Sequence, residues 1–378
     1  MKIKNINVYQ VEVPLRVKFS QSNNSTWKSS STIVELETFS GIKGYGETCP
    51  RPYVTGETPH SVIEDLIQTK FIWDQRSFAD LEEMKAFILQ DLGARIGPAA
   101  LCGFELALLD AWGKTQNQIL IQILGGDTNH EVTYSGVVPS GNTNHYQKVL
   151  NQLTVFDFPE IKLKVGTDLK DNIEKLRLIK EAFSPDIPLR VDVNTAWNLK
   201  DATEQIPSLI NQGVTVFEQI FLKGHETLMG EITRLFGDQV KIMADESITT
   251  LQEAKTLVEN HLCNHFNLKI SKNGGILQTL NIYHYLIQNG YTCQLGAHFG
   301  ETSLLTSAGL IFSSLAKDLT ANEGGLGKYL LEEDISEPSL RFNQKAKINL
   351  MHLQNAPGLG ISVDPGFLEK YQTFRNQL

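Results

Sequence analysis

EIKLKVG, residues 160–166, alternates like a β-strand, yet two lysines, Lys162 and Lys164, stand two positions apart in it. Side chains alternate faces along a strand, so both ammonium groups leave the same face, about 6.6 Å apart along the chain. Ile161, Leu163 and Val165 leave the other. A sheet covered by helices on both faces has no place for two such lysines. A barrel strand does: one face meets the surrounding helices, and the end of the other opens on the mouth.

The neighbouring sequence supplies the rest of a barrel. VTYSGVV (132–138), PLRVDVN (188–194), VTVFEQI (214–220), KIMADES (241–247), HFNLKIS (265–271) and YTCQLGAH (291–298) read as further strands. Amphipathic runs such as DLKDNIEKLRLIKEAF (168–183) and LQEAKTLVENHL (251–262) lie between them. Strands alternating with helices imply parallel βαβ units. These units, with a short eighth strand at LTANEGG (319–325), predict a (β/α) barrel. An open doubly wound sheet would carry a glycine-rich phosphate turn after its first strand, and the sequence has none there. Residues 1–128 begin with three strands followed by helical segments, which predicts an α+β capping domain. The barrel is expected over 129–326, and the tail, 327–378, is expected to pack back on the capping domain.

The predicted strand ends carry the chemistry. Lys162 and Lys164 end one strand, then Asp192 with Asn194, Glu218, Asp245 with Glu246, Lys269, and His298 with Glu301 end the strands that follow. Singly, such a carboxylate caps a helix and such a lysine reaches for water. Together they converge on one mouth, since the carboxyl ends of barrel strands form the catalytic face. Three carboxylates on adjacent strands repel unless a cation sits among them. Oxygen-only ligands suit Mg2+, with Mn2+ the nearest substitute. Strands two and six lie opposite each other in an eight-stranded barrel, so Lys164 and Lys269 would flank that metal. A neutral lysine could then remove a proton α to a metal-bound carboxylate, giving a stabilised enediolate. Return of a proton on the other face is racemisation or epimerisation; assistance to a leaving group is elimination or cycloisomerisation. Lys162, one pleat deeper, is expected to lower the pKa of Lys164 and to contact the substrate carboxylate.

The bulk composition narrows the alternatives. A net charge of −9 over 378 residues argues against nucleic acid and anionic membranes as partners. Cys49, Cys102, Cys263 and Cys293 are scattered without a C-x-x-C pair, so neither zinc nor a disulfide framework is indicated. No signal-peptide pattern or membrane-length apolar run is present, and a cytoplasmic protein is expected.

With these residues in hand, the sequence resembles the enolase superfamily, in particular its muconate lactonizing enzyme subgroup. KLKVG matches the family's K-x-K, DVNTAW its D-x-N-x-x-W, and EQ, ADES and NLKISKNGGI follow in order. The resemblance implies a modified (β/α)7β barrel with a capping domain built from both termini. It implies Lys164 and Lys269 as acid/base groups, and Asp192, Glu218 and Asp245 as Mg2+ ligands. A racemase, epimerase or cycloisomerase acting on a small carboxylic acid or N-acylamino acid is implied, with an o-succinylbenzoate synthase-like or acid-sugar-like dehydratase as runner-up. The family's habit also implies a homo-oligomer. Two other readings are a Schiff-base aldolase and a non-catalytic metal-binding scaffold.

The chain departs from the pattern in three places. Ile220 replaces the proline that usually follows E-Q, and His298 is unusual on strand seven. The Asp-x-Asp pair with which dipeptide epimerases of the subgroup hold a substrate ammonium is absent from strand eight, where Asn322 and Glu323 stand. Three residues after Lys269, Lys272 is expected by strand alternation on the opposite face, in a structural role. Substrate contacts are expected from two capping loops, SQSNNSTWKSSS (20–31) with Trp27, and CPRPYVTGE (49–57) with Arg51 and Tyr53. Asn194, Glu246, His298, Glu301 and Glu323 are further candidates.

Overall fold

The computed structural model describes residues 1–21, 24–139 and 143–378. Eight strands form one parallel sheet in sequence order: β5 (Gly136–Val138), β6 (Ile161–Lys164), β7 (Leu189–Asp192), β8 (Val214–Glu218), β9 (Lys241–Ala244), β10 (His265–Leu268), β11 (Thr292–Leu295) and β12 (Leu319–Asn322). The two outer strands approach each other, with the Ser135 amide donating to the Asn322 carbonyl at 2.8 Å. This is the expected barrel. Register aligns Lys162 with Arg190, and Lys164 with Asp192 and then Glu218, so the ionisable ends fall level. The apolar alternates, Ile161, Leu163, Leu189 and Val191, are fully buried.

The amino-terminal strands β1 (Ile3–Gln21), β2 (Asn24–Thr38) and β3 (Lys43–Thr48) form an antiparallel sheet, ordered β14-β1-β2-β3. Its outer strand β14 (Gln372–Gln377) comes from the far end of the chain. The helix Pro98–Gln116 lies against β2 and β3 and is buried along most of its length. Gly44 and Gly46 permit that approach, because a Cβ at either would lie 2.1–2.2 Å from a helix carbonyl.

Two elements differ from the sequence reading. VTYSGVV is not one strand. Glu131–Thr133 (β4) pairs antiparallel with Lys347–Asn349 (β13), and only Gly136–Val138 enters the barrel sheet. Between them Tyr134 donates to the Ala346 carbonyl and Ser135 to that of Asn322, which moves the chain from one ladder to the other. The tail contains a helix, Pro365–Tyr371, besides its strands and turns; Pro365 at its first turn and the Asp364 cap favour it.

The capping domain grips the barrel through buried carboxylates. Glu47, at the end of β3, accepts from the Thr302 amide and hydroxyl and from the Leu305 amide, at 2.7–3.2 Å. These groups open the helix Ser303–Leu315, whose N-terminal amides favour an anion.

Candidate active site

Each strand of the site ends on a charged side chain that meets its counter-charge from a neighbour. The Lys162 ammonium stands 2.7 Å from Glu323, 3.0 Å from Glu218 and 3.8 Å from Asp192. Lys164 stands 3.2 Å from Asp192 and donates to the Asn194 side-chain oxygen at 2.5 Å. Lys269 lies 2.5 Å from Asp245 and Lys272 lies 2.8 Å from it. Asp192, Glu218 and Asp245 thus form an arc, with Lys164 at one end and Lys269 at the other. All three are at most 3% exposed.

Burial and crowding set the protonation of this arc. Burial, together with the like charge of Asp192, Glu323 and Asp245, pushes Glu218 up to about 8 against the pull of Lys162. Asp245 is held well below the usual carboxylate range: burial opposes ionisation, but Lys269 and Lys272 outweigh it. Burial alone would lower Lys162, and Glu218, Glu323 and Asp192 raise it overall. In this arrangement its ammonium answers three carboxylates rather than acting on Lys164 alone.

Below the mouth the barrel interior is polar. Arg190 pairs with Glu160 at 3.0 Å and Glu323 at 3.1 Å, and donates to Gln294; Gln294 donates to Glu323 at 3.2 Å. Burial would raise Glu323, but Lys162 and Arg190 hold it down to about 2. Asn267 donates to Glu218 at 2.7 Å.

Local backbone features aim these groups. Asn194, Thr195 and Gln219 have positive φ (44°, 64° and 38°) just past β7 and β8. Such strain costs about 1–3 kcal/mol per residue and persists where the surroundings enforce it. Gln219 shows how: its side-chain oxygen accepts from the Asp245 and Ser247 amides, and its amide group donates to the Phe221 carbonyl and the Ser247 hydroxyl. The end of β8 therefore fixes the turn carrying Asp245, without the proline usual after E-Q.

The remaining candidates fall at different distances from the arc. Glu246 is buried; burial and the neighbouring Asp245 push it up to about 7, and its Oε2 has no hydrogen-bond partner. The His298 imidazole is held well below its ordinary range by burial and by the charges of Lys269 and Arg51, so the ring is neutral at pH 7. Glu301 accepts from the His298 amide at 2.6 Å, and burial, with Glu47 nearby, pushes it up to about 8. Arg51 donates to the carbonyls of Ser30, Pro50 and Phe299 at 3.1–3.3 Å.

Of the predicted loop 20–31, residues 22 and 23 lie outside the described residues. The part from Asn24 is strand β2 rather than loop. Trp27, 58% exposed, stands two residues from Ser29, whose hydroxyl donates to the Gly300 carbonyl at 2.9 Å. Alternation therefore puts Trp27 on the strand face turned to the β11 loop. Tyr53 is exposed at the other capping loop.

Lys272 is where the structure and the sequence reading part. After Leu268 the chain leaves the strand in a series of turns, so strand alternation no longer applies. Lys272 is fully buried and donates to Asp245 and to the carbonyls of Asp245 and Asn267. Replacing Lys272 by methionine strips these carbonyls of their donor. Stability is expected to fall by about 1–3 kcal/mol in urea denaturation, the cost of leaving buried polar groups unpaired. Arg190 was also missed, although its position two residues before Asp192 marks it as inward-facing.

Among the described residues no cluster of three or more His, Cys, Asp or Glu side chains already stands in ligand geometry. Each carboxylate of the arc is turned onto a lysine instead. The donor set nevertheless fits a hard divalent cation: it is all oxygen, its negative charge is concentrated enough to raise Glu218, and the adjacent Glu246 carries an unpartnered buried oxygen.

Comparison with known proteins identifies the family. Residues 146–367 match the family "Enolase C-terminal domain-like", and residues 3–125 match "Mandelate racemase / muconate lactonizing enzyme, N-terminal domain". The chain belongs to this family, in the muconate lactonizing enzyme subgroup of the enolase superfamily, and is an enzyme of that class. It is 26% identical to the N-succinyl-L-Arg/Lys racemase of Bacillus cereus, over 100% of this chain and 99% of the relative. It is 29% identical to a hydrophobic dipeptide epimerase of Enterococcus faecalis, over 96% and 100%. The crystal structure of a dipeptide epimerase from Enterococcus faecalis, complexed with Mg and L-Leu-L-Tyr, superposes with a TM-score of 0.84 at 27% identity, over 96% and 100% of the two chains. Among the described residues no helix is long and apolar enough to cross a membrane.

Proposed function

We propose that the protein is a Mg2+-dependent racemase or epimerase that moves the proton α to the carboxylate of an N-acylated amino acid. The observation that carries this reading is the placement of Lys164 and Lys269 at the two ends of the Asp192–Glu218–Asp245 arc. Asp192, Glu218 and Asp245 would hold the cation, with Mn2+ as a substitute. A divalent cation there supplies positive charge against the negative charge that develops on the substrate carboxylate. One lysine, deprotonated, takes the α-proton from one face; the other, protonated, gives a proton to the opposite face. Lys162, between Glu218 and Glu323, contributes a fixed positive charge beneath the substrate carboxylate. His298, neutral and at the rim beside Lys269, contacts the acyl group.

The charge of the mouth supports an acylated nitrogen over a free ammonium. Glu323, just past β12, is bound by Lys162 and Arg190. Asn322 donates to the Thr133 carbonyl and accepts from Ser313. Glu246 and Glu301 are both held toward their neutral forms. At Asn322 and Glu323, a substrate ammonium therefore meets no open carboxylate. The names of the relatives support both N-acylated amino acids and dipeptides as classes to compare. The division of the chain at about residues 128 and 326 belongs to the same proposal.

The test is a panel of N-acetyl and N-succinyl amino acids and of dipeptides, incubated with the protein and MgCl2 and separated by chiral chromatography. Inversion is expected for acylated amino acids, to be at least tenfold slower for dipeptides, the scale of about 1.4 kcal/mol of discrimination, and to stop with EDTA. Faster inversion of dipeptides contradicts the substrate class.

A further inference from the structure

The two lysines at the ends of the arc are anchored by different parts of the molecule. The turn after Lys164 is tied within the barrel. Gly166 exchanges hydrogen bonds with the Asn172 side chain, at 3.1 and 2.9 Å, and its carbonyl accepts from the Trp197 indole at 2.8 Å. The Thr167 carbonyl accepts from Gln205 at 2.9 Å.

The turn after Lys269 is tied to the capping domain as well. Ser271, fully buried between Lys269 and Lys272 in sequence, accepts from the Cys49 amide at 2.8 Å and shares a 3.0 Å hydrogen bond with the Thr48 hydroxyl. Cys49 opens the capping loop that carries Arg51 and Tyr53. A few residues on, Glu105 from the helix Pro98–Gln116 accepts from the Leu277 amide at 3.0 Å, at the start of the helix Ile276–Gln288. Gly275 makes room for it: a Cβ there would lie 2.5–2.7 Å from the Glu105 carboxyl. Burial pushes Glu105 up to about 8, so the acid form, which glutamine imitates, prevails at neutral pH.

We infer that Ser271 and Glu105 are positioning residues through which the capping domain holds Lys269 in place, so that one face of the acid/base pair depends on the cap while, among the described residues, the Lys164 turn is tied within the barrel. This rests on the two-lysine reading above. The substrate-facing capping loop and the Lys269 turn meet at the Thr48–Cys49–Ser271 joint. A shift of the cap therefore moves Lys269 together with Arg51 and Tyr53. A misplacement of about 1 Å of a reacting group can cost about a hundredfold in rate.

The test has two readouts on the full chain: native protein, Ser271→Ala, Glu105→Ala and Glu105→Gln. The first is backbone hydrogen exchange by mass spectrometry, which needs no turnover. Ser271→Ala and Glu105→Ala are expected to lose protection over residues 269–277 while residues 164–172 keep theirs, and Glu105→Gln is expected to behave as native. Unchanged protection at 269–277, or equal loss in both segments, overturns the inference. The second readout is α-proton exchange in D2O with MgCl2, using N-succinyl-L-lysine and N-succinyl-D-lysine as probes. The two alanine variants are expected to lose about a hundredfold for one enantiomer and less than about twofold for the other. An equal fall for both enantiomers overturns selective positioning and leaves a general structural role. Absence of exchange from native protein with both probes counts against the two-lysine reading, and the protection data then decide the clamp by themselves.

Discussion

Under the proposed function, replacing Lys269 by alanine is expected to lower racemisation by roughly a hundred- to ten-thousandfold, the range that a positioned general acid or base contributes, and Lys164→Ala is expected to do the same. Neither change is expected to dismantle the site. Without Lys269, Asp245 keeps Lys272 at 2.8 Å, and without Lys164, Asp192 keeps Lys162 at 3.8 Å. Both variants should therefore fold and still gain thermal stability from Mg2+, as any ligand that binds only the native state provides. Racemisation followed by polarimetry, beside a thermal melt with and without MgCl2, separates loss of chemistry from loss of the metal site. Near-native turnover in either variant with Mg2+ bound contradicts the assignment of two acid/base lysines.

Glu323→Ala has the largest expected effect on stability. Its carboxylate joins Lys162 at 2.7 Å to Arg190 at 3.1 Å, beneath the mouth and away from solvent. Removing it leaves two buried cations sharing fewer counter-charges: Lys162 retains Glu218, and Arg190 retains Glu160. Breaking a buried pair by deleting one partner costs about 3–5 kcal/mol, because the remaining charge stays desolvated. The midpoint of urea denaturation at pH 7 reads this loss. A pH series gives an independent check. Glu323 has its folded pKa depressed to about 2, below an unfolded value near 4.5. It contributes stability that is present above the unfolded value and is lost as pH falls through the folded one. The gap between native and variant should therefore narrow with acidification below about pH 4.5. A gap that widens there contradicts the ion-pair account.

The barrel and the arc were legible because their signals are local. Strand alternation put Lys162 and Lys164 on one face, and each later acid or lysine ended its own apolar run. The network under the arc was not legible in the same way. Arg190 meets Gln294 and Glu323, more than a hundred residues on, and nothing near Arg190 in sequence announces either partner. Glu323 read as a substrate contact from its strand alone; its two cations come from β6 and β7. Lys272 was misplaced because alternation was extended past Leu268, where the backbone has already turned. The split of VTYSGVV likewise depends on Lys347–Asn349, which offers Glu131–Thr133 a closer ladder than the barrel does. Capping contacts such as Glu105 with Leu277 and Ser271 with Cys49 join segments about 170–220 residues apart and emerge only once both domains are folded.

The proposed function requires this site to take a proton from the carbon α to a carboxylate. The most direct measurement is 1H NMR of N-acylated amino acids in D2O with the native protein and MgCl2. The α-proton signal is expected to disappear as deuterium replaces it, from both enantiomers, and to persist when EDTA is present. An α-proton that survives across the panel, with Mg2+ bound to the protein, would contradict the account.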